Sequence, residues 1–301
     1  MEDVSGMIIK TDSERARRFI AVGVLSMLVV LAFSLESMAG VLVAPTSAIM
    51  TEGKRTTRLT IKNPSTDPKE VEVRFAYGLP ESDSLGNVDI KLIDSAVTDP
   101  RSCMDWLKAF PRKIIVPPNG SQVIRLVANP PEDLPEGEYW CRLIVRSSEG
   151  SMSPPPVAAA DAITTRLNMI METAIVAKYR KGESVARLAL LDTTAWIDTI
   201  AGRVSVLLDM ESQGNVSYVG VINGRLLDAR NREIMTQKLD IAVYRQLKRR
   251  LDFPVSLEGF EGPYRADIRI TTRGRTDIPP EDVIAGNEIS LTTIIPEDRR
   301  R

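Results

Sequence analysis

An all-β chain of two sandwich domains behind an N-terminal export signal is the architecture that this sequence predicts. Three observations point there. The N-terminus runs from basic to apolar to small residues; short β-branched runs alternate with proline- and glycine-rich turns; and 301 residues suggest about two domains. Hydrophobic residues make up 43% and the formal net charge is −1, enough for real cores and without the basic footprint of a nucleic-acid binder. Histidine is absent, which removes the commonest general base, the commonest metal ligand and the usual partner of a serine or cysteine nucleophile. The expectation is therefore a protein that is not an enzyme, with no cofactor, no metal and no small-molecule substrate.

At the N-terminus, Arg15, Arg17 and Arg18 precede the apolar run FIAVGVLSMLVVLAFSL, and Ser37-Met38-Ala39 offers small residues at the two positions a signal peptidase inspects. Residues 1–39 read as the signal, with Gly40 as the mature start. A retained anchor is the alternative, but the run at 19–35 is shorter than the roughly 20 residues a bilayer needs. In an oxidising compartment the two cysteines, Cys103 and Cys141, are expected to form a disulfide. Two separate buried thiols are the other reading, and two sulfurs without histidine make half a zinc site at best.

From residue 41 the runs TRLTIKN, EVEVRFAY, RKIIVPP, SQVIRLVA and YWCRLIV are separated by NPSTDPK, PPNG and NPPEDLPEG, which is turn chemistry. Leu59 and Ile61 share one face of their strand, and Val71, Val73 and Phe75 share one face of theirs, with polar residues between. One face is core and the other solvated. In LPEGEYWCRLIV, Tyr139 stands two residues before Cys141, the place of the corner tyrosine whose hydroxyl bonds back to the upstream backbone in immunoglobulin-like sandwiches. SLEGFEGPYRADIRITT repeats the device, with Gly262 and Tyr264 in the places of Gly137 and Tyr139. RVSVLLDM, YVGVINGRLLDA, EIMTQKLDIAVY and RRLDFPVS supply further strands ahead of it. Two immunoglobulin-like β-sandwich domains are thus expected, at 40–182 and 183–301, joined by the short charged stretch YRKGES and held at a fixed angle.

The first domain resembles the periplasmic pilus-assembly chaperones, the PapD-like family. The resemblance runs over residues 41–180 and rests on the opening strand VLVAPTSAIM, the strand end Asn63-Pro64, the segment WLKAFPRKIIVPPNGSQVIRLV and the sixth strand LPEGEYWCRLIV. For the second domain it is architectural only. It implies a periplasmic protein of two immunoglobulin-like domains, whose partners are pilus or fibre subunits and an outer-membrane usher. In that family the seventh strand carries alternating apolar residues that complete an unfinished subunit by strand addition. Counting back from Tyr179-Arg180 in LNMIMETAIVAKYR puts Leu167, Met169 and Met171 on those positions, with Ile175, Ala177 and Tyr179 as core. A helix through Leu167, Ile170, Met171 and Ala174 fits the spacing as well, but not a sandwich. The preceding stretch at 154–160, rich in proline and alanine, reads as a mobile loop.

The chain departs from the family at the basic pair that holds the subunit's C-terminal carboxylate: the two positions are Ser47 and Val176. Lys178 and Arg180 are the candidate replacement anchor. The other class of function that fits is an exported structural or adhesive protein of two immunoglobulin-like modules. Nucleophile elbows, phosphate loops and His-Glu motifs are absent from the sequence. The basic run RQLKRRLD, with Arg245, Lys248, Arg249 and Arg250, reads as a solvated or edge strand, with an anionic partner site as the alternative; the tail at 299–301 reads as frayed.

Overall fold

A computed structural model describes residues 40–150 and 169–296. The export signal, the loop at 154–160, Leu167 and the tail at 299–301 lie outside the described residues. Among the described residues no helix is long and apolar enough to cross a membrane.

Among the described residues, eleven strands make up the first part of the chain: β1 (Leu42–Ala44), β2 (Ser47–Thr51), β3 (Thr56–Lys62), β4 (Lys69–Ala76), β5 (Pro80–Ser82), β6 (Val88–Ile90), β7 (Leu107–Phe110), β8 (Lys113–Val116), β9 (Ser121–Ala128), β10 (Gly137–Glu149) and β11 (Met171–Lys181). They form a sheet in the order β1-β3-β9-β7, a second in the order β2-β11-β10-β4-β8, and a separate β5-β6 hairpin. The second part has β12 (Leu188–Asp198), β13 (Arg203–Ser212), β14 (Tyr218–Leu227), β15 (Glu233–Val243), β16 (Gln246–Pro254), β17 (Tyr264–Thr271), a short 3-10 turn at Pro280–Asp282, and β18 (Ile289–Ile295). Its sheets run β12-β13-β16 and β15-β14-β17-β18. The fold is all-β, two immunoglobulin-like sandwiches in series.

Each sandwich owns a core. Alternation puts Leu59 and Ile61 of β3 and Val71 and Val73 of β4 inside the first, together with Tyr139, Leu143, Ile175 and Tyr179; Val206, Leu208, Tyr218, Phe253 and Ile268 anchor the second. On β10, however, residues 137 to 145 are buried on both faces. The odd residues fill the core, while Trp140, on the other face, packs with Tyr77 and Leu79 of the segment after β4 and meets Tyr244 of the second sandwich edge-on at 5.1 Å. A central strand covered on both sides loses the alternation of a half-buried one.

Both corner tyrosines are formed. Tyr139 Oη donates to the Pro135 carbonyl at 2.7 Å and Tyr264 Oη to the Phe260 carbonyl at 3.1 Å, each four residues upstream. Gly137, which opens β10, has φ +128°, a backbone region that essentially only glycine enters.

The expected disulfide is corrected: Cys103 and Cys141 are free thiols, both buried. They serve as small core residues of the first sandwich, and Cys103 Sγ donates to the Ala177 carbonyl at 3.9 Å. Burial, with the Cys141 side chain beside it, pushes the Cys103 thiol well up, so the reactive thiolate is disfavoured.

Candidate functional site

β11 is paired along its full length on one side and only half of it on the other. Against β10 it is antiparallel from Met171↔Ser147 to Lys181↔Gly137. Against β2 it is parallel only from Val176↔Ser47 to Arg180↔Thr51. The outer edge from Met171 to Ile175 has no strand beside it among the described residues. Such an edge presents unpaired N–H and C=O groups to any extended segment that reaches it.

Side chains at this edge divide by parity. Ile175, Ala177 and Tyr179 point into the core. Met171 continues the same face where the core ends, and its thioether lies over Gly40 in the space a Cβ would fill. Met169, Ile170 and Met171 are 48%, 47% and 44% exposed. On the opposite face Glu172 pairs with Arg74 at 3.2 Å, and Arg74 holds Asp94 at 2.5 Å.

Ser47 and Val176, the positions of the missing basic pair, sit side by side in the β2–β11 register. The Ser47 hydroxyl is buried without a hydrogen-bond partner. Two and four residues beyond Val176, Lys178 and Arg180 face the second sandwich, and both are buried. Lys178 Nζ donates to Glu138 Oε1 at 2.9 Å and to Ser217 Oγ at 2.5 Å. Arg180 Nε donates to Glu138 Oε2 at 2.9 Å, and its Nη1 to the Asp282 carbonyl at 2.9 Å. Ser217 Oγ in turn donates to Glu138 Oε1 at 2.6 Å. Lys178 Nζ also stands 4.7 Å from the Tyr244 ring centroid, a cation–π distance.

Glu138 is therefore the centre of a buried knot that joins the two sandwiches. Burial pushes its carboxyl up, but Lys178, Arg180 and the Ser217 hydroxyl together outweigh that and hold it below its ordinary value. The carboxylate in this cleft is the chain's own. Its role was not legible in LPEGEYW, because only the strand register sets Glu138 opposite Arg180 and only the sandwich junction brings Ser217. Among the described residues no group of three or more candidate ligands could hold a metal ion.

No protein-family model matches the chain, and no curated protein matches it. Solved structures do. The class 5 fimbriae chaperone CfaA is 15% identical, with 85% of this chain and 99% of that chain covered and a TM-score of 0.39. The Pseudomonas aeruginosa CupB2 chaperone is 12% identical, with 85% and 100% covered and a TM-score of 0.41. A chain of the Salmonella enterica SafA pilin complex with the SafB chaperone is 12% identical, with 86% and 97% covered and a TM-score of 0.41. The solved structures to which this chain is similar thus include chaperones of fimbriae and pilins.

Proposed function

We propose that the chain is a periplasmic chaperone that binds pilus or fibre subunits by strand pairing along the unpartnered half of β11, in a system that includes an outer-membrane usher. The observation that carries this reading is the edge itself: hydrogen-bonding groups from Met171 to Ile175 lie open on the side away from β10, and exposed Met169 and Met171 flank its start. An added strand gains backbone hydrogen bonds there, while alternate side chains enter the partner's pockets. Methionine suits the task because its flexible thioether adapts to pockets of different shape. Leu167 extends the same alternation. Burying three such side chains contributes about 5 to 9 kcal/mol gross, at about 1.5 to 3 kcal/mol each, before the costs of ordering and association.

The knot at Glu138 favours the second reading, a structural or adhesive protein of two modules, because Lys178 and Arg180 already share a carboxylate within the chain. A client carboxylate gripped by this pair must displace Glu138. Co-expression with a fibre subunit, followed by affinity capture, separates the two. The chaperone reading expects a stable complex that is lost in the Met169→Glu, Met171→Glu double variant while its circular dichroism stays native. Capture unaffected by the double substitution would sink it.

A further inference from the structure

The open side of the second sandwich holds a cation whose side chain makes no ion pair among the described residues. β15 and β16 are the terminal strands of its two sheets. Their inward residues carry odd numbers: Leu239, Ile241 and Val243 on β15, and Leu247, Leu251 and Phe253 on β16. Arg249 falls in that inward series between Leu247 and Leu251, where the pattern calls for a hydrophobe; Gln237 does the same on β15. The neighbouring Arg250 is fully engaged, with Asp252 at 3.1 Å and Asn87 Oδ1 at 3.1 Å. The Arg249 side chain has neither a hydrogen bond nor an ion pair among the described residues. Burial weakens its hold on its proton, Asp252 partly restores it, and Arg250 opposes it again. A half-dry guanidinium with unmet donors is costly.

Arg249 opens into a cavity of about 240 Å³ that Gln237, Lys238 and Leu239 line from β15 and Leu251 from β16, with Gly86 and Asn87 of the β5–β6 hairpin closing one side. Arg249 and Arg250 line it with the single carboxylate of Asp252, while the Lys238 ammonium is turned to the Gly274 carbonyl at 2.6 Å. We propose that this cavity is a binding site for a small organic carboxylate. The Arg249 fork matches the two oxygens of a carboxylate, Gln237 lies on the same inward face, and Leu239 and Leu251 cover the carbon chain. The space is below that of a drug-sized pocket, which limits the occupant to a short acid or an acidic side chain. An inward charge on an edge strand also deters edge-to-edge pairing, a use that needs no ligand, and saturable binding separates the two.

The test is a calorimetric titration of the whole chain with glutarate at fixed ionic strength, with blocked N-acetylglutamate amide in parallel to tell a free acid from a peptide side chain. Saturable binding of either ligand is expected, at least about tenfold weaker in Arg249→Gln because a hydrogen bond to a charged group is lost. Arg225→Gln, which alters an exposed pair with Glu233 elsewhere on the sandwich, leaves binding unchanged. Should Arg249→Gln not fold, Arg249→Lys carries the comparison, since it keeps the charge without the fork and is expected to bind several-fold more weakly. The proposal is overturned if neither ligand saturates, or if the Arg249 variant that folds binds as the wild type does.

Discussion

Glu138 has no exposed surface and two cationic partners, so its loss strands both charges. Replacing it by glutamine is expected to destabilise the chain by about 3 to 5 kcal/mol, the usual cost of removing one side of a buried ion pair, read from urea melts. Its pH dependence has a defined sign. The folded carboxyl lies below its ordinary value, so its contribution is complete above that ordinary value and is lost as pH falls through the folded one. Melts taken from about pH 7 down to about pH 3 should show a loss of stability in the wild type that is smaller in Glu138→Gln; equal slopes would contradict the assignment. At this scale the sequence was half legible. Lys178 and Arg180 stood out as charges on a strand that ought to be core, but their partner required a register. The cysteines misled because an even count says nothing of geometry, and both thiols fit the core as they are.

Among the elements, the strands with strong alternation were readable from β-branched runs and turn residues, and the two tyrosine corners from a single repeated spacing. β12, β18 and the β5–β6 hairpin were not. The alternation of LALLDTTAWID in β12 breaks at a register shift between Leu190 and Asp192, Thr293 interrupts the inward series of Ile289, Leu291 and Ile295 in β18, and the hairpin has only three residues in each strand. The corners carry a prediction of their own. Each hydroxyl makes one hydrogen bond to a backbone carbonyl, so Tyr139→Phe and Tyr264→Phe should each lower stability by about 0.5 to 1.5 kcal/mol in denaturant melts. A much larger effect would mean that the ring, and not the hydroxyl, is what each substitution disturbs. The helical reading of the stretch around Met171 fails because β10 offers it a full set of ladder partners.

Over the whole molecule, the sandwiches are tied at several points beyond the Glu138 knot. Arg245 of the β15–β16 turn pairs with Asp99 at 2.6 Å, Thr46 donates to the Asp277 carbonyl at 2.8 Å, and the hairpin reaches across so that the Lys248 amide donates to Ser82 Oγ at 2.8 Å. Gly86 makes that docking possible: its φ is +76°, and a Cβ there would come within 2.7 Å of the Arg250 nitrogen. Gly86→Val should release the hairpin and broaden the spread of distances between spin labels placed on the two sandwiches, with both sandwiches still folded by circular dichroism. An unchanged distribution would mean that the other ties suffice. None of these contacts was visible in the sequence, since each joins residues more than a hundred positions apart through the junction of two folded bodies.

The first sandwich holds one half of β11 closed by β2 and leaves the other half open, and the open half is where the account stands or falls. Amide hydrogen exchange across β11, measured with and without a fibre subunit, tests it most directly. Subunit binding should slow exchange at residues 171–175 and leave 176–180, already flanked by β2, largely unchanged. Protection that appears on another strand, or an unaltered 171–175 in a complex that has formed, would contradict strand pairing at this edge.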